Sequence, residues 1–199
     1  MRIAQLIQTA WLILVVLLLQ ACASAPTRPL LAPDDQQQIT QLSRDMLTLG
    51  DHVDPHEARL AATIAIRHSR ELAQQYRISG SAIAHNLKVN LGLRDRGLCI
   101  HWTEDLLARL RREQFQTLGW HWAIANYENT FRLEHSSVVV TARGDDIDQG
   151  LVLDPWRHSG DLYWDATLND SSYAWQPYDE VMLRKRMDQA AVENRPTAR

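Results

Sequence analysis

Cysteine is scarce in this chain: two in 199 residues, Cys22 and Cys99. That excludes a small domain held together by several disulfides. No Cys-x-x-Cys or His-Glu-x-x-His occurs, so the zinc-ligand types present, Cys99, His101, His121, His135 and His158, lack metal-ligand spacing. His52 and His56 are four apart, but Pro55 and a helix start lie between them. The expectation is no metal and no cofactor. Charge of one sign is also missing, since the net charge is -3 and the one basic run, Arg184-Lys185-Arg186, is flanked by acidic residues as on a solvated helix face. Nothing in that pattern offers a footprint for nucleic acid. The apolar run Ala10 to Leu19 is too short to cross a bilayer, which takes ~20 residues. No internal repeat is visible. The length suits one globular domain and a short leader.

What is there begins at the N-terminus. Arg2 precedes the apolar run, which stops at Leu19-Gln20-Ala21-Cys22. This reads as a signal peptide over 1–21 and resembles the bacterial lipoprotein box, in which the cysteine is diacylated on sulfur and becomes the new N-terminus. An ordinary secretory signal cut near Ala23 or Ala25 is the alternative. The resemblance implies a membrane-anchored chain of the cell envelope, with Cys22 lipidated. If the cell has two membranes, Ala23 implies export to the outer one, facing the periplasm. Several acyl chains hold far better than one, each buried methylene adding ~0.8 kcal/mol.

Residues 22–38, rich in proline, alanine and glutamine, read as a tether. A domain is expected over 39–190, with a disordered tail over 191–199. Helices are expected over 39–49, from Pro55 to about Tyr76, over 82–91, after Cys99, and over 177–187. Asp54-Pro55-His56-Glu57 is a helix start, with aspartate as cap, proline at the first position and glutamate three after the cap. Between the Cys99 helix and the last one the period changes. Segments 118–125, 133–142, 151–156 and 162–166 are short, aromatic or β-branched, and divided by turn residues. Helices followed by a run of strands give an α+β domain with an antiparallel sheet.

Cys99 opens a helix, His135 lies on the second strand and Asp154 ends the third. Neighbouring antiparallel strands can bring His135 and Asp154 together, and the cysteine helix can pack across that end of the sheet. A thiolate is the nucleophile, favoured by a helix N-terminus and a nearby imidazolium. A histidine then moves the proton, and a carboxylate fixes its tautomer. Each residue also has a plainer reading: Cys99 as a core residue beside Leu98, Trp102, Leu106 and Leu110, His135 as a satisfied sheet histidine, Asp154 as a turn cap before Pro155. His101 or His121 are alternative bases.

Gly97-Leu98-Cys99 before a helix, a strand histidine, then Leu153-Asp154-Pro155 resembles the transglutaminase-like branch of the papain-like cysteine enzymes. The likeness covers about residues 85 to 170. It implies N-terminal helices on an antiparallel sheet, with Cys99, His135 and Asp154 catalytic. The sequence departs from the family at three places. Ile100 follows the cysteine where an aromatic is usual, Ser136-Ser137-Val138 follow the histidine, and Leu93 stands where papain has its oxyanion glutamine. Oxyanion donors are sought in the Cys99 N–H, Asn86, Asn90, Trp120 and Trp122. The expected function is a thiol peptidase, amidase or acyl transferase acting on an envelope protein or peptidoglycan peptide. Its rival is a non-catalytic envelope lipoprotein that binds or assembles a partner.

Overall fold

The structure, a computed structural model, describes residues 33–193. The segment read as a signal peptide, Cys22 and the stretch read as a tether up to residue 32 lie outside the described residues. Helices α1 (Pro33–Leu47), α2 (Pro55–Gln75), α3 (Ala82–Asn90) and α4 (Cys99–Arg111) come first. Strands β1 (Leu118–Ala125), β2 (His135–Ala142), β3 (Leu151–Asp154), β4 (Tyr163–Ala166) and β5 (Gln176–Pro177) follow, and α5 (Tyr178–Glu193) ends the described chain. The strands form one sheet in the order β4-β3-β2-β1-β5, antiparallel at every pairing. The domain is therefore α+β, as the change of period implies. Among the described residues no helix is long and apolar enough to cross a membrane.

Period 2 along β2 explains the layering. Val138 and Val140 point into the main core with Ile39, Leu42 and Met46 of α1, Ala61 and Ala65 of α2, and Leu106 and Leu110 of α4. Val139 points the other way, into a smaller cluster with Val152, Ala123, Ile147 and Trp175. All of β2 is buried. It is the central strand, and its first residue is His135.

Helix α1 takes in Pro33 to Gln38, which composition places in the tether. The reason is an ion pair. Asp35 is buried against Arg70 of α2, and Arg70 Nη2 also donates to Gln38 Oε1 at 2.8 Å. Asp35 and Gln38, which read as tether, thus dock the first turn of the helix, while Gln36 and Gln37 stay exposed. Helix α5 likewise continues to Glu193, into the segment read as tail.

The start of α2 is half the motif the sequence implies. Asp54 accepts from the Glu57 N–H at 2.9 Å. The Glu57 carboxylate does not reach back to Asp54. It crosses to the α4–β1 connection and accepts from the Gln116 N–H at 2.7 Å, the Thr117 N–H at 2.8 Å and the Thr117 hydroxyl at 2.6 Å. Partial burial alone would raise its pKa, but these donors win and hold it below the ordinary carboxylate value. Thr117 Oγ1 in turn accepts from the Asp54 N–H at 3.0 Å. Replacing Glu57 by alanine unpairs these donors, and a loss of about 1–2 kcal/mol in urea unfolding is expected.

Candidate active site

His135 and Asp154 meet because β2 begins where β3 ends. The register Val138↔Leu153 puts both at the same end of the sheet, and the Ser137 hydroxyl, donating to the Leu153 carbonyl at 2.7 Å, ties the strands there. His135 Nε2–H donates to Asp154 Oδ2 at 2.7 Å. Asp154 has no exposed surface. Its Oδ1 accepts from the N–H groups of Trp156 and Arg157, both at 3.1 Å, and Oδ2 also takes Arg157 Nε at 3.1 Å. Burial would raise its pKa, but the charges of His135 and Arg157 with these hydrogen bonds hold it below the carboxylate range.

The imidazole is buried too, packed among Trp156, Tyr173 and Trp175 with ring centres 4.7, 4.6 and 5.3 Å away. Burial disfavours its charged form. Asp154 outweighs that, with help from Cys99, and the ring is pushed up to about 9. Nδ1 takes no hydrogen bond among the described residues. With Nε2 committed to Asp154 and Cys99 interacting with the ring, Nδ1 is the nitrogen left for the thiol.

Cys99 is the first residue of α4, so its N–H belongs to the group without an acceptor inside the helix. Its Sγ lies 3.8 Å from the Glu134 carbonyl oxygen, one residue before His135. The turn presenting it is clamped from several sides. Trp102 Nε1–H donates to the Gly97 carbonyl at 3.0 Å, and His85 Nε2–H donates to the Arg96 carbonyl at 3.0 Å. His101 Nδ1 accepts from the Gly97 and Leu98 N–H groups at 3.1 and 3.3 Å. Burial and the Arg96 charge lower the pKa of His101, which suits an acceptor nitrogen. His101 therefore serves as a cap and not as the base. Gly97 has φ +125°, and a Cβ there would fall 2.4 Å from His85 Nε2.

A cleft of about 190 Å³ opens over Cys99 and His135, walled by Ile83 and Asn86 of α3, by Leu133, and by Trp156 and Tyr173. That size admits the groups around one carbonyl, below the ~300 Å³ of a typical ligand pocket. Trp156 Nε1–H donates to Asn86 Oδ1 at 3.0 Å. This commits the Asn86 oxygen and leaves its NH2 as the donor on offer to the cleft.

The other oxyanion candidates are not brought here. Asn90 is exposed at the end of α3. Trp120 packs on Phe115 and Trp122 on Tyr178, and both line a separate cavity beyond β1. His121 lies there as well, its Nε2 3.0 Å from the Thr141 hydroxyl oxygen. Among the described residues no group of His, Cys, Asp or Glu is placed to hold a metal ion.

Sequence reasoning passes over Arg157, Asp170, Tyr173 and Trp175. Arg157 Nη2 bonds Asp170 Oδ2 at 2.6 Å, and Trp175 Nε1–H donates to the same oxygen at 3.0 Å. Arg157 has one local signal, its place three residues after Asp154 across Pro155. Asp170 and Trp175 have none, because they arrive by a loop between β4 and β5.

Two outcomes are expected. His135 is held above its ordinary 6.5, so its contribution is whole below that pH and is lost as pH rises through about 9. Urea unfolding should therefore show wild type losing about 1–3 kcal/mol between pH 6.5 and 9.5, a loss largely absent in His135→Gln. Gly97→Ala should destabilise by about 2–3 kcal/mol through strain at positive φ and the clash with His85.

No protein-family model, curated protein or solved structure matches the chain.

Proposed function

We propose that the chain is a thiol hydrolase or acyl transferase of the transglutaminase-like, papain-like type, built on Cys99, His135 and Asp154. The observation that carries this reading is a fully buried His135–Asp154 pair at 2.7 Å whose second ring nitrogen is left for a thiol at a helix N-terminus. A structural histidine in an apolar cage has no need of that arrangement.

The steps follow from the protonation states. Asp154 favours the charged form of the ring, so Nδ1 can accept the Cys99 proton, and the reactive form in this reading is thiolate beside imidazolium. Sγ attacks the carbonyl of an amide or ester, a C–S bond forms, and the carbonyl electrons move onto oxygen. The Cys99 N–H and the Asn86 amide are the donors for that oxyanion. As the tetrahedral species collapses, the bond to the leaving nitrogen or oxygen breaks and His135 supplies its proton. Water, or an acceptor amine, then attacks the thioester while His135 takes its proton, the C–S bond breaks, and Cys99 leaves as thiolate beside the recharged imidazolium. Asp154 holds the ring throughout.

The substrate is a carbonyl group of the cell envelope, on a protein or a peptidoglycan peptide, if Cys22 is the lipid anchor its sequence context implies. No cofactor takes part in these steps.

The test is alkylation by iodoacetamide at pH 7, read at the Cys99 peptide by mass spectrometry so that Cys22 does not contribute. Wild type is expected to react at least ~10-fold faster than His135→Ala, since a positioned acid–base group is worth ~10²–10⁴. Equal rates in the folded proteins would overturn the enzyme reading and leave a lipoprotein that binds a partner.

A further inference from the structure

The contacts around His135 close into a ring. His135 Nε2 bonds Asp154 Oδ2, Asp154 Oδ2 bonds Arg157 Nε, and Arg157 bonds Asp170 through Nη1 at 3.2 Å and Nη2 at 2.6 Å. Asp170 Oδ2 holds the Trp175 indole N–H, and the Trp175 ring lies 5.3 Å from the His135 ring. Tyr173 sits inside this ring of contacts, 4.6 Å from His135 and 5.2 Å from Trp175, with the Arg157 guanidinium 4.8 Å from its centre. A second tyrosine, Tyr163, lies 3.8 Å from the guanidinium on β4.

We propose that Arg157 is a positioning residue for His135, sharing the Asp154 carboxylate with it and held by Asp170, so that the imidazole is fixed with its free nitrogen toward Cys99. Its value for catalysis rests on the thiol-enzyme reading, whereas the effect on the ring does not.

Three features of the geometry support this. Arg157 and His135 bond the same carboxylate oxygen, so the guanidinium draws on the electron density that binds the imidazolium. Asp170 has the opposite effect, since it neutralises Arg157 and returns Asp154 to the histidine. The guanidinium also has a chemical fit, because its planar fork meets one carboxylate through Nε and the other through its two terminal nitrogens while stacking on tyrosine rings. The charged and titratable groups around His135 are Cys99 from α4, Asp154 with Arg157 behind it from the β3 end, Tyr173 from the loop before β5, and Arg132 of the β1–β2 connection, which lies 5.5 Å over the Tyr173 ring at the cleft. Glu134, next to it in sequence, is occupied by Lys185 of α5.

Opposite signs follow for the two partners. Removing the Arg157 charge strengthens the hold of Asp154 on the imidazolium, so the ring keeps its proton to higher pH. Removing the Asp170 charge leaves Arg157 unneutralised, so the ring gives up its proton at lower pH. A purely structural role moves neither.

The test is a histidine-ring NMR titration of the chain in a Cys99→Ala background, where the thiol does not couple to the ring. Arg157→Met is expected to raise the His135 midpoint by about one pH unit and Asp170→Asn to lower it by a similar amount. Arg157→Lys, which keeps the charge without the fork, should stay near the parent midpoint. Unmoved midpoints, or shifts of one sign in both variants, would overturn the proposal. If Arg157→Met fails to fold, Asp170→Asn and Arg157→Lys decide the matter. With Cys99 restored, Arg157→Lys should alkylate more slowly than wild type, because the ring is less well fixed. If the midpoints move as stated but Cys99 alkylates no faster with His135 than without it, positioning stands and the enzyme reading falls.

Discussion

A carboxylate without exposed surface is tolerable only where donors surround it, and Asp154 is such a group. Its oxygens take one imidazole nitrogen, one guanidinium nitrogen and two backbone N–H groups. The backbone pair comes from the turn that follows it, where Pro155 fixes the chain direction and Trp156 and Arg157 present their N–H groups together. Removing any of these leaves buried charge short of a partner. The end of β3, the start of β2 and the loop carrying Asp170 to Trp175 are therefore positioned by one ion.

From that ion the arrangement spreads outward through packing. His135 is caged by three aromatic rings, and one of them, Trp156, extends the constraint to the helices by donating to Asn86 of α3. Helix α3 holds His85 against the Arg96–Gly97 turn, and that turn sets the first residue of α4. Sheet and helices are thus joined at the cleft by short polar contacts, while away from it their shared core is mostly aliphatic, with polar ties such as Glu57 to Thr117 and Trp164 Nε1–H to Asp45 Oδ2 at its margins. The thiol and the imidazole come from different layers, and the polar contacts fix their relative position more finely than apolar side chains can.

Much of this was legible in the sequence where a local period or a cap carries it. Strand β1 falls on its expected residues, and Cys99, His135 and Asp154 lie at a helix start, on the second strand and at the end of the third, as expected. What was not legible depends on contacts between distant residues. Asp35 looks like tether until Arg70 meets it. Glu57 looks like a local cap, yet its carboxylate serves a turn about sixty residues on. Asn86 and Asn90 share both polarity and a helix face, and only one turn along the axis and the Trp156 contact separate them. Asp170 and Trp175 lie on a two-residue strand's approach, too short for any periodicity to mark.

The chain of charges around His135 is hard to explain by stability. Four ionisable groups, His135, Asp154, Arg157 and Asp170, meet where the neighbouring side chains are Trp156, Tyr173 and Trp175. Desolvating such groups costs several kcal/mol each, and well-packed apolar residues of the same volume often serve a fold equally well or better. Surrounding residues here are aromatic and could have been continued inward. What apolar replacements cannot provide is a ring whose charged form is favoured, with one nitrogen engaged by Asp154 and the other without a hydrogen bond among the described residues. Perturbed groups of this kind cluster where chemistry is done, and this one opens into the cleft that holds Cys99. The arrangement is the one that the proposed thiol chemistry would use, since that chemistry needs a proton held on the ring until a leaving group takes it.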